Sequence, residues 1–167
     1  MLKAVGAFLA ICVVPIVVIV GYYIWAMSYR HVTETDSWVS FDVARLDRKH
    51  LFDDFPATTK EIRYSNTVVG MRGRCFVYAI RAPLADLHEF ASQQLKQYSG
   101  KIVRTNNSPS PFLERTPTDL RIVYAVHADW LLDVRDHIGV LYKLDSFGGP
   151  TIFVDEASET LYYVFTD

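Results

Sequence analysis

The stretch HADWLLDVRDHIG, His127 to Gly139, holds the densest group of side chains able to do chemistry. Wound as a short helix over Asp129–Gly139, it would bring Asp129, Asp133 and either Asp136 or His137 onto one face, at i, i+4 and i+7 or i+8. Carboxylates and an imidazole in that array can hold a divalent cation or act as general acid and base, the outline of a metal-dependent hydrolase. The same spacing describes a solvated helix face opposite an inward stripe of Trp130, Leu131, Val134 and Ile138. No histidine or cysteine pair stands at metal-site spacing, so the solvated face is the preferred reading; neither metal nor cofactor is expected.

Other chemistries find less support. A serine nucleophile on a sharp elbow needs G-x-S-x-G, which does not occur. GMRGR (Gly70–Arg74) shares two glycines with a phosphate cradle but lacks the lysine and the helix that should follow. Cys75 has Arg72 and Arg74 beside it, which would lower the pKa of an exposed thiol. It also opens CFVYAI, a strand-core pattern, and is read as a buried, inert thiol. It is the sole cysteine beyond Cys12, so no disulfide forms within the folded region. His31, His50 and His88 are scattered. No catalytic set assembles, and the chain is read as a non-enzyme.

The elements that must carry these residues follow from periodicity. Trp38–Leu46 alternates as a half-buried strand. Ile62, Tyr64 and Val68 share one face of a second strand; Gly70 and Gly73 mark a turn. Arg74–Arg81 returns apolar on both faces, as a central strand does. Pro83 to Gly100 has the helix signature: proline in the first turn, an apolar stripe through Leu84, Leu87, Phe90, Ala91 and Leu95, and a closing glycine. Lys101–Thr105, Asp119–Ala128 and Val140–Leu144 read as strands. Thr151–Thr166 reads as a hairpin turning at Glu156–Glu159. Between them, Asn106–Pro117 reads as a long loop. Phe112 and Leu113 at its middle are candidates for docking on a partner. The fold class expected for residues 31–167 is α+β, a mainly antiparallel sheet with about two helices.

Ahead of this domain, Ala4–Tyr29 carries no charge between Lys3 and Arg30. That length exceeds the ~20 helical residues needed to cross a bilayer, and Tyr22, Tyr23, Trp25 and Tyr29 suit the headgroup layer. A signal peptide would have a shorter apolar run and a small-residue cleavage site. Residues 1–30 are therefore expected to form a single transmembrane helix. Within it, Pro15 should kink the helix, and the small pair Gly6 and Ala10 would let a partner helix approach closely.

All 19 acidic residues lie beyond residue 30 with 15 of the 17 basic ones, so the domain is net negative. Residues 60–121 hold ten basic and five acidic residues between acidic flanks. One basic stretch in a negative domain is not the broad basic face that nucleic acid requires. The expectation is a bacterial inner-membrane protein, single-pass, with a periplasmic protein-binding domain. It would serve as an accessory or structural subunit of a membrane complex or as a membrane-held inhibitor of immunity type, with the lipid bilayer and another membrane protein as partners. Two alternatives stand beside it: a domain that binds lipid or a small ligand with its many aromatics, and the metal-dependent hydrolase.

Overall fold

The computed structural model describes residues 13–25, 30–35, 37–47, 54–69, 73–113, 128–145 and 149–166. Eight strands follow one another as β1 (Arg30–Glu34), β2 (Val39–Ser40), β3 (Glu61–Val69), β4 (Arg74–Arg81), β5 (Ile102–Pro109), β6 (Ile138–Leu144), β7 (Thr151–Asp155) and β8 (Thr160–Thr166). Seven form a continuous sheet in the order β1-β3-β4-β8-β7-β6-β5; β2 pairs with the start of β3. Every pairing is antiparallel. β8 is inserted between β4 and β7 and joins the two hairpin-built halves.

Strand alternation divides the side chains between two cores. In β4, Phe76, Tyr78 and Ile80 enter one cluster while Cys75, Val77 and Ala79 enter the other. β8 splits likewise, with Leu161, Tyr163 and Phe165 on the first face and Tyr162 and Val164 on the second. The first face is covered by helix α3 (Leu84–Lys96), whose buried Leu87, Phe90, Ala91 and Leu95 recur at helical spacing. Pro83 precedes its first turn, Asp86 lies in that turn and Lys96 in the last, each matching the helix dipole. Tyr78 and Tyr163 stack beneath it, ring centroids 4.3 Å apart and nearly parallel. On the second face, Phe112, Ala128, Trp130, Leu131 and Val134 pack over Cys75, Val77, Phe153 and Tyr162.

Three elements differ from the sequence reading. Trp38–Leu46 is not one strand: after Val39–Ser40 the chain turns into helix α2 (Phe41–Asp47). Phe41 and Ala44, one helical turn apart, are both buried, and Phe41 stacks on Phe55 at 5.9 Å. Burial at i, i+3 outweighs the alternation. The helix expected over Asp129–Gly139 is a 3-10 helix limited to Asp129–Val134, because β6 already begins at Ile138. The expected loop after Thr105 is in large part strand. β5 continues to Pro109 through an irregularity between Thr105 and Ser108, where Asn107 has φ 51°, and a 3-10 turn follows at Pro111–Leu113. A proline fits here because β5 is a sheet edge. The strand expected at Asp119–Ala128 lies outside the described residues except for Ala128.

The transmembrane expectation is also corrected. Residues 13–25, the described part of this segment, are helical and are called α1. Among the described residues no helix is long and apolar enough to cross a membrane, so neither the membrane-spanning helix of residues 1–30 nor the single-pass topology is shown. Pro15 lies within α1; Gly6 and Ala10 lie outside the described residues. The large apolar side chains of α1 are exposed, from 44% at Val13 to 67% at Tyr22.

Candidate functional site

The sheet's second face carries more than a core. Alternation from Ile62, buried on the first face, sends Arg63 of β3 to the second; from Ile80 of β4 it sends Arg81 there too. Thr160 and Tyr162 of β8 and Asp155 of β7 share that side. Register then aligns them in two adjacent rows. Arg63 lies opposite Ala79, which lies opposite Tyr162; Arg81 lies opposite Thr160, which lies opposite Asp155. The 3-10 helix Asp129–Val134 and its following turn roof these rows. Between roof and sheet is a cavity of about 230 Å³ walled by Trp38, Arg63, Arg81, Trp130, His137 and Tyr162.

Each arginine lies over a tryptophan. The guanidinium carbon of Arg81 is 4.1 Å from the ring centroid of Trp38, and that of Arg63 is 5.4 Å from Trp130. Arg81 also donates from Nη1 to Glu61 Oε2 at 2.7 Å, and both side chains remain partly exposed. Such an exposed pair adds little stability but fixes the direction of the guanidinium. Trp130 is only 6% exposed, and its indole Nε1–H has no acceptor within hydrogen-bonding distance among the described residues. A buried donor without a partner costs about 1–3 kcal/mol, which a bound acceptor would recover.

The cavity's other end is organised by Asp155, 1% exposed. Its Oδ2 accepts from His137 Nδ1 at 2.7 Å and from the Ser158 hydroxyl at 2.5 Å, and its Oδ1 accepts from the Ala157 amide at 3.0 Å. Burial pushes this carboxyl's pKa up. The three hydrogen bonds and the neighbouring imidazole outweigh burial and hold it below its ordinary value. A carboxylate only accepts, so Nδ1 of His137 carries a proton, and Nε2 remains for other contacts. This is not a nucleophilic triad, because the serine hydroxyl bonds the carboxylate and not the imidazole. Tyr162 is held as the neutral phenol: burial and the nearby Asp155 push its pKa up to about 12, against the pull of Arg81 and the hydroxyls of Thr160 and Ser158.

The residues singled out from sequence fall as follows. His137 and exposed Asp133 do meet at this cavity, but His137 is bound to Asp155 and not arrayed with Asp129 along a helix. Among the described residues no three histidine, cysteine or carboxylate side chains come together to hold a metal ion. Phe112 is buried, packing edge-on against Phe153 and Tyr162. The side chain of Leu113 lies outside the described residues. Cys75 is fully buried, and burial pushes its thiol pKa up to about 12, as expected of an inert thiol. A larger open recess of about 320 Å³ beside α3 is lined by Asp54, Asp86 and Glu89, with Thr58 donating to Asp86. Among the described residues its lining has no cationic side chain and no orphaned buried donor. Sequence reasoning missed Trp38, Arg63, Arg81, Asp155 and Ser158. Alternation could have assigned each strand residue to a face; only the strand order brings them together. No protein-family model, curated protein or solved structure matches this chain.

Proposed function

We propose that the folded region is a binding domain for a small ligand with a flat apolar group and a hydrogen-bond acceptor, taken up in the cavity between Trp38 and Trp130. The observation that carries this reading is Trp130, a wall residue of the cavity that is more than nine-tenths buried and whose Nε1–H has no acceptor among the described residues. Native interiors seldom leave such a donor orphaned. Two further aromatic walls and two oriented arginines give the cavity both apolar area and direction, the usual composition of a ligand site. The test uses the chain labelled with 15N-tryptophan. Phenol, a ring bearing one acceptor, should move the Trp130 indole resonance selectively and saturably. A resonance that does not move with phenol or any other ring-bearing probe would defeat this reading.

A second reading, binding to another macromolecule, is supported by α1. Its large apolar side chains are exposed, more apolar surface than an isolated domain ordinarily presents to water. This helix would rest against a lipid bilayer or the apolar surface of a membrane protein, which would place the chain at a membrane. Co-sedimentation with vesicles tests the lipid contact. The chain should pellet with them, and a chain lacking residues 1–25 should stay in the supernatant. Equal pelleting of both would remove α1 as the contact.

A further inference from the structure

We infer that the ligand of the Trp38–Trp130 cavity carries an oxyanion, a carboxylate or a phosphate monoester, attached to its planar group. The inference rests on the ligand-binding reading above and names the chemistry of what is bound. Three side chains that can donate but never accept, Arg63, Arg81 and Trp130, converge on this cavity. The buried carboxylate at the far end is already in use, while the hydroxyl oxygens beside it can still accept. Asp155 receives three donors, and the hydroxyls of Ser158 and Thr160 give their protons to Asp155 and to the Ser158 carbonyl. An oxyanion would meet several of these donors at once with charge assistance.

Three carboxylates oppose this, and one of them, Asp155 at the far end, is paired with His137. Asp133 is exposed at the rim. Glu61 engages Nη1 of Arg81 from outside the cavity wall, and a guanidinium has five donors in all. The Arg81 guanidinium lies over the Trp38 ring, and its remaining donors could meet a carboxylate or phosphate through two parallel bonds. Trp38, Trp130 and Tyr162 supply flat apolar walls for the rest of the ligand. At about 230 Å³ the space is below the ~300–1,000 Å³ of drug-sized sites and suits one ring with its anionic group.

The experiment titrates the full chain, labelled with 15N-tryptophan and held in mild detergent, with four probes: phenol, benzoate, phenyl phosphate and inorganic phosphate. Trp25, Trp38 and Trp130 are told apart by their Trp→Phe variants. Benzoate or phenyl phosphate should move the Trp130 indole resonance and bind about tenfold or more tightly than phenol, a difference of ~1.4 kcal/mol. The tighter of the two identifies carboxylate or phosphate. Inorganic phosphate, lacking the ring, should bind more weakly than phenyl phosphate. In Arg63→Gln and Arg81→Gln the preference over phenol should fall while phenol binding is kept; Arg→Lys variants should restore part of it. Anionic probes binding no better than phenol would overturn the oxyanion and leave the cavity reading standing. No shift with any ring-bearing probe would overturn both. The comparison among probes in the unmutated chain needs no variant to fold.

Discussion

Asp155 Oδ2 and His137 Nδ1 lie 2.7 Å apart across a separation of 18 residues, tying the hairpin β7–β8 to the segment that enters β6. The folded carboxyl has a lowered pKa, whereas an unfolded aspartate titrates near ~3.9. The folded state therefore binds fewer protons between these values. The resulting stability is present in full above the unfolded value and is lost as pH falls through the folded one. Urea midpoints measured from pH 7 downward should show this acid loss in the natural chain and a shallower loss in Asp155→Asn. At neutral pH the variant should be weaker by about 1.5–3 kcal/mol, the scale of hydrogen bonds to a charged group. Identical acid slopes would mean that the pair stores no such energy.

Gly139 is fixed by space and not by backbone angle. A Cβ there would collide with the carbonyl oxygen of Val154 and come within 2.9 Å of the Phe153 ring. The obstacle is the neighbouring strand's backbone, which cannot swing aside as a side chain can. Gly139→Ala should cost about 1–3 kcal/mol or more and loosen the β6–β7 ladder. Amide exchange at Val140 to Tyr142 reports it, and unchanged protection there would contradict the steric account.

Cys75 should ignore a thiol reagent at pH 8 for as long as the protein stays folded. Its side chain is fully buried and its pKa is pushed up to about 12. Labelling should follow global unfolding as urea is raised. Fast modification in the native state would show that the second core opens locally.

Phe112 should behave as a core residue. Phe112→Ala should cost about 3–5 kcal/mol, the range for aromatic truncation in a packed interior. Its T-shaped contacts with Phe153 and Tyr162 disappear with it. A variant as stable as the parent would return this residue to the surface.

Much of the architecture was legible because local patterns and tertiary packing agree. Arg74–Arg81, apolar on both faces, and the two apolar runs of Thr151–Thr166 form β4 and the hairpin β7–β8. The stripe after Pro83 is buried as α3. Where the two disagreed, packing won. Phe41 alternates as in a strand, yet it is buried with Ala44 on a helix turn. The apolar run before Arg30 pointed to a span, but among the described residues no helix is long and apolar enough to cross a membrane. The cavity was the least legible part. His137 and Asp133 were visible in one segment, whereas their neighbours Arg63, Arg81 and Asp155 come from three strands whose adjacency depends on where β8 inserts. That insertion is a tertiary fact with no local signature.

The position of β8 also sets a timetable. A ribosome completes β1 to β4 early and β5 to β7 later, but these two groups share no ladder until residues 160–166 emerge between them. During synthesis the exposed edges of β4 and β7 stay open, each a template for pairing with the wrong strand. The nascent chain thus depends on β8 to close the sheet. A stop codon shortly before Thr160 would leave two separate ribbons with open edges and both cores incomplete, a ready substrate for chaperones and proteases.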